Sequence, residues 1–134
     1  MTQQRVRQLR VVVEAADYDE AVRFFRDVLG MSEELAYAEG GDDRVVILDA
    51  GRATLEIGTP AHIREVDRVE GATVPSPAIR LAFEVDDAPV ATEDLAAAGG
   101  EVVGEPVTTP WRSVNSRIAA PAGLQITLFQ EAGS

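Results

Sequence analysis

Apolar and polar residues alternate with a period of two in a series of short runs, and the runs form two matching sets. In LRVVVEAAD (9–17), Leu9, Val11 and Val13 share one face and Arg10 points to the other. In IRLAFEVDD (79–87), Ile79, Leu81, Phe83 and Val85 share a face and Arg80 opposes them. A constant offset of 70 carries Arg10 to Arg80, Glu14 to Glu84 and Asp17 to Asp87. Each run is followed by a helical pattern. Asp17 is placed to cap YDEAVRFFRDVLG, with Glu20 at the third helical position of a capping box and Gly30 as the terminator. Val22, Phe25, Val28 and Leu29 form its apolar stripe, and Phe24 and Phe25 are expected in the core. In the second set Asp86 or Asp87 caps APVATEDLAAAGG, Pro89 suits the first turn, and Gly99 and Gly100 end the helix. With Val90, Leu95 and alanines, that helix is thin and should pack closely on its sheet.

Three further strands are expected in each set, at 34–38, 44–49 and 53–58, then at 101–107, 114–119 and 125–130. Turn signals separate them: GGDD at 40–43, Ala50 with Gly51, and PAG at 121–123. ATLEIG aligns with QITLFQ, which sets Glu56 against Thr127 at an offset of 71, one loop insertion beyond the general repeat. The arrangement is βαβββ twice, an α+β domain spanning 1–134. Module one covers about 7–59, a linker with a helical turn in AHIREVDRV about 60–76, and module two about 77–131.

Composition narrows the function. The 134 residues are 46% hydrophobic and 26% charged, a size and balance that suit one folded domain. There is no cysteine, so no disulfide contributes. Twelve basic against 23 acidic residues leave a net charge of −11, which argues against nucleic acid, because affinity for phosphate backbones comes from cationic side chains. No apolar run reaches the roughly 18–20 residues that span a bilayer, so no membrane partner is expected. Near the N-terminus the apolar stretch of Leu9, Val11, Val12 and Val13 is broken by Arg10, too short and too charged for a signal peptide. A cytoplasmic location is the expectation.

The repeated βαβββ halves resemble the vicinal oxygen chelate superfamily, the glyoxalase/bleomycin resistance/extradiol dioxygenase group. DYDEAVRFFRDVLGM, AFEVDDAPVATEDLAAAGG and VTTPWRSVNSRIAAPAGLQITLF carry the resemblance, which runs from Leu9 to Gln130. It implies two modules whose curled mixed sheets form a shared cleft, with helices on the convex face. In metal-dependent members of that group, four side chains from the first and fourth strands of each module hold one divalent ion, typically His, Glu, His or Gln, and Glu. The matching positions here are Arg10, Glu56, Arg80 and Thr127. Only Glu56 is retained. A guanidinium stays protonated and has no lone pair to offer, and two cations repel an ion. No metal ligands and no cofactor are therefore expected.

Strand alternation places these four residues away from the helix-packing face, with Phe129 among their neighbours. An Arg10–Glu56–Arg80 cluster carries one excess positive charge, suited to a carboxylate, phenolate or enolate. Equally, it is an ion-pair cluster that joins the halves where the metal is lost. Trp111, the only tryptophan, follows Pro110 in a turn and is suited either to stack on a flat ligand or to plug the cavity rim or a dimer contact. Asn115 and Arg117 alternate along one strand and are expected on the inner face. His62, the only histidine, lies in the linker and is expected to face solvent. No Gly-x-Ser-x-Gly elbow and no phosphate-cradling loop is present.

The ligand-binding set is thus Arg10, Glu56, Arg80, Trp111, Asn115, Arg117, Thr127 and Phe129. The first functional reading is metal-independent binding of a small molecule, an antibiotic or aromatic natural product, in the manner of resistance proteins. The resemblance implies an acidic homodimer. Long-range charge favours a cationic ligand and the inner arginines an anionic group, so an amphoteric compound satisfies both. The alternative is a metal-independent lyase or isomerase with Glu56 as general base, although nearby guanidiniums stabilise a carboxylate and weaken it as a base. A metal-dependent glyoxalase or dioxygenase is the third reading.

Overall fold

The computed structural model describes residues 4–132. In chain order the elements are β1 (Val6–Glu14), α1 (Tyr18–Val22) running straight into a π-helical turn (Arg23–Val28), β2 (Glu33–Ala38), β3 (Arg44–Asp49) and β4 (Ala53–Gly58). There follow α2 (Pro60–Val69), β5 (Ile79–Val85), α3 (Ala88–Ala97), β6 (Glu101–Thr108), β7 (Ser113–Ala119) and β8 (Gln125–Glu131). Both βαβββ units are present, with the strands close to their expected limits. They form one mixed sheet in the order β2-β3-β4-β1-β5-β8-β7-β6. Within each unit the first strand pairs in parallel with the last, β1 with β4 and β5 with β8. The units join through the antiparallel β1–β5 seam, where Arg10 faces Ala82 and Val12 faces Arg80, so the halves pair within one chain.

The outer face carries α1 and α3. Asp17 accepts a hydrogen bond from the Glu20 backbone N–H (3.1 Å) and Asp87 one from that of Val90 (3.0 Å), the caps read from the sequence. Val22, Val46, Leu48 and Ile57 form the core under α1, joined by Phe25 and Met31. The expected stripe is cut short, because Val28 and Leu29 are each 64% exposed and Phe24 is 52% exposed. The cause is the π-helical turn, closed by the Leu29 N–H donating to the Phe24 carbonyl (2.9 Å). Five-residue spacing of the bonds turns each residue through a smaller angle, and the stripe drifts off the sheet.

Helix α3 packs closely, as expected, but through Ala88, Ala91 and Thr92, while Val90 and Leu95 face outward. The Thr92 hydroxyl donates to the Ala88 carbonyl (2.6 Å) and lies 2.7 Å from the Ser116 hydroxyl. At the end of this helix a Cβ on Gly100 would come within 2.9 Å of Ile118 Cγ2, so the close approach needs glycine.

The linker departs most from expectation. Rather than one turn it forms the ten-residue α2, capped by the Thr59 hydroxyl accepting from the His62 N–H (3.1 Å), and it lies on the inner face. Ile63 is buried there with Val12, Ala82 and Phe129. His62, expected in solvent, is tucked against β4 and the β2–β3 turn, with Nδ1 2.6 Å from Asp43 Oδ1 and its side chain 13% exposed. Among the described residues no helix is long and apolar enough to cross a membrane.

Candidate functional site

Residues that alternate with the outer-face core meet on the inner face. There the β-ladders set Arg10, Ala82, Thr127 and Arg117 side by side across β1, β5, β8 and β7. An adjacent rung holds Glu56, Val12 and Arg80. Arg10, Glu56, Arg80 and Thr127 therefore converge, as two pairs rather than one cluster.

The first pair lies at the rim. Arg10 Nη1 is 3.8 Å from Glu56 Oε1, and the two side chains are 21% and 17% exposed. Arg10 also donates from Nε to Gln8 (2.7 Å) and from Nη2 to Glu131 (3.3 Å), and its guanidinium lies 4.8 Å from the centroid of the Phe129 ring. Glu84 stands on the same face, opposite Gln8 and beside Phe129. Burial, and then the Glu131 charge, push its carboxyl above the usual value. Arg10 thus pairs with Glu56 and Glu131, with Glu84 beside them, and the rim is acidic.

The second pair lies deeper. Arg80 donates to the Thr127 hydroxyl and is buried. Among the described residues it makes no ion pair, and its Nε has no hydrogen-bond partner. Burial first, then the Arg117 charge, lowers its pKa. The expected Arg10–Glu56–Arg80 cluster is therefore divided, since Glu56 pairs only with Arg10.

Asn115 and Arg117 reach the inner face as expected and are engaged by α2 and the residues after it. Arg117, fully buried, donates from Nε to Glu70 (2.8 Å) and from Nη1 to Asp67 (2.9 Å), Gln125 (2.9 Å) and Ser76 (3.1 Å). Asn115 donates to Glu70 (2.7 Å) and accepts from the Ser113 hydroxyl (2.6 Å). For Asp67, burial pushes the carboxyl up, but the Ser76 hydroxyl and N–H and the Arg117 guanidinium outweigh it and hold the carboxyl below its usual value.

Asp67 and Glu70 were missed by the sequence reading. Their signal was present, because Ile63, Val66, Asp67 and Glu70 recur at helical spacing, and an acid on a buried stripe requires a cation opposite. Trp111 stands 49% exposed on the β6–β7 turn beside Arg112, which at φ 68° is the only non-glycine residue with positive φ among those described. The turn is tied to the inner face through Ser113, which lies 2.9 Å from the Thr109 hydroxyl.

The donor set does not fit a metal. Glu56 supplies one carboxylate, two positions hold guanidiniums, and the Thr127 hydroxyl is bonded to Arg80. Among the described residues no group of three or more His, Cys, Asp or Glu is arranged to hold an ion.

Residues 10–129 match the model of a family described as a glyoxalase-like domain. No curated protein matches the chain. Several solved structures share the fold. A hypothetical protein from Bacillus halodurans is 12% identical at a TM-score of 0.69, over 96% of this chain and 95% of that one. Methylmalonyl-CoA epimerase from Mycobacterium tuberculosis is 21% identical at 0.64, over 96% and 89%. A glyoxalase/bleomycin resistance protein/dioxygenase superfamily member from Vibrio splendidus is 16% identical at 0.63, over 92% and 97%.

Proposed function

The chain belongs to the glyoxalase-like domain family, within the glyoxalase/bleomycin resistance/dioxygenase superfamily, and on that premise we propose that it binds a small amphoteric organic molecule directly, without metal chemistry. The observation that carries this reading is the sorting of charge by depth. The rim holds Arg10 among Glu56, Glu84 and Glu131 and favours a cationic or hydrogen-bonding group. The interior holds Arg80 without an ion-pair partner and favours an anionic one. A net charge of −11 draws cationic solutes toward the molecule at long range. Antibiotics and aromatic natural products that carry both an amine and an acid have this character, and Trp111, exposed on a neighbouring turn, offers a flat face.

Proton transfer by Glu56 has less support, because its carboxylate already faces Arg10. Thermal-shift measurements with matched amphoteric, cationic and anionic aromatic compounds test the reading. The amphoteric set should stabilise most and be recovered unchanged, and Glu84→Gln with Glu131→Gln should weaken it. Stoichiometric Zn, Mn, Fe or Ni in the purified protein would overturn the reading, as would turnover that is lost on Glu56→Gln.

A further inference from the structure

Two guanidiniums deep on the inner face hold N–H groups that no acceptor of the described residues meets. Arg80 is 4% exposed and Arg117 0%, and the Arg80 Nε and Arg117 Nη2 are both buried without a partner. They flank one residue. Arg80 donates to the Thr127 hydroxyl, and Thr127 is the ladder partner of Arg117. Because that hydroxyl oxygen accepts from Arg80, its own O–H remains available to donate.

The charges around the two arginines differ. Asp67 and Glu70 both lie against Arg117, whereas no carboxylate of the described residues comes within ion-pair distance of Arg80. The neighbour that Arg80 feels most strongly is the Arg117 cation, ahead of the opposing Glu70, Glu56 and Asp67. Water answers a hydrogen bond but not a charge, and a buried cation is retained when an anion accompanies it.

We propose that Arg80, Arg117 and the Thr127 hydroxyl form a buried socket for one monoanionic group of chloride or formate size, supplied as a free ion or as the carboxylate of a bound organic acid. A small group is specified because the orphaned N–H groups are themselves inaccessible, on an inner face that α2 covers with Ile63, Val66 and Asp67. Where the anion is a ligand's carboxylate, the inference rests on the binding reading above. Where it is a free ion, it stands alone.

The test uses the purified chain at constant ionic strength, with chloride, bromide, formate or benzoate replacing gluconate. At least one of these should raise Tm by about 3 °C or more once it exceeds its Kd by about tenfold. Arg80→Met should lose that response. Stabilisation by halide or formate identifies a free ion, and stabilisation by benzoate alone identifies a ligand's carboxylate. No response in the wild type, or an equal response in Arg80→Met, overturns the socket. Should Arg80→Met not fold, bromide-grown crystals of the wild type decide a halide arm. An anomalous peak within hydrogen-bond reach of the Arg80 Nε supports the socket, and density without anomalous signal there overturns the free-halide form. None of the four anions carries a cationic group for the rim, so their response reads the socket alone, and failure of the rim reading and failure of the socket are distinguishable.

Discussion

Arg10, Arg80 and Arg117 are the same side chain in three electrostatic settings. Arg10 is partly solvated and shares its charge with rim carboxylates, and such exposed pairs contribute at most about 1 kcal/mol. Arg117 is sealed against Asp67 and Glu70, and removing one partner of a buried pair leaves uncompensated charge at a cost of about 3–5 kcal/mol. Urea unfolding at pH 7 should therefore show Arg117→Met losing about 3–5 kcal/mol and Arg10→Met about 1 kcal/mol or less. Comparable losses would mean that the buried network does not hold α2 down. Asp67 adds a pH dependence. Its folded pKa lies below the unfolded value, so its contribution is present above the unfolded pKa of about 3.9 and is lost as pH falls through the folded one. Acid titration of stability should be steeper for the wild type than for Asp67→Asn below about pH 5.

At the scale of elements, the strands and the outer helices were readable because their signals are local. The apolar run bounded by charges at 44–49, the alternation along 79–85 and a cap three residues from its donor need no knowledge of the rest of the chain. The exposed end of the first helix was not readable, because a π-helical turn leaves the same residues in the same order and changes only their angular spacing. Helix α2 was read only as a helical turn in 61–69, because its buried stripe mixes Ile63 and Val66 with acids and so does not look apolar. Stability measurements should separate these two helices. Ile63→Ala should cost about 2–5 kcal/mol by opening a cavity under α2, and Val28→Lys on the π-helical turn should change stability by no more than about 0.5 kcal/mol.

At the scale of the whole molecule, the β1–β5 seam makes two similar units into one sheet, and α2 lies on that sheet's inner face. Contacts from α2 reach β1 through Arg64, which donates to Glu14, and β7 through Asp67. Such coupling predicts one cooperative transition. Trp111 fluorescence, which reports on the second unit, and far-UV circular dichroism, which reports on both, should give the same urea midpoint, and Arg117→Met should move both together. Separate midpoints would show that the units unfold independently.

The chain by itself determined the strands, the caps and the guanidiniums at two of four converging positions, since each depends on residue type and on neighbours a few positions away, and the repeat is legible by setting the chain against itself. Tertiary structure alone decided that the halves pair within one chain, that the linker becomes a helix on the inner face, and that Arg117 is neutralised while Arg80 is not. The reason is range. The carboxylates that meet Arg117 lie 47 and 50 positions earlier in the chain, and no local pattern reports which cation they will reach.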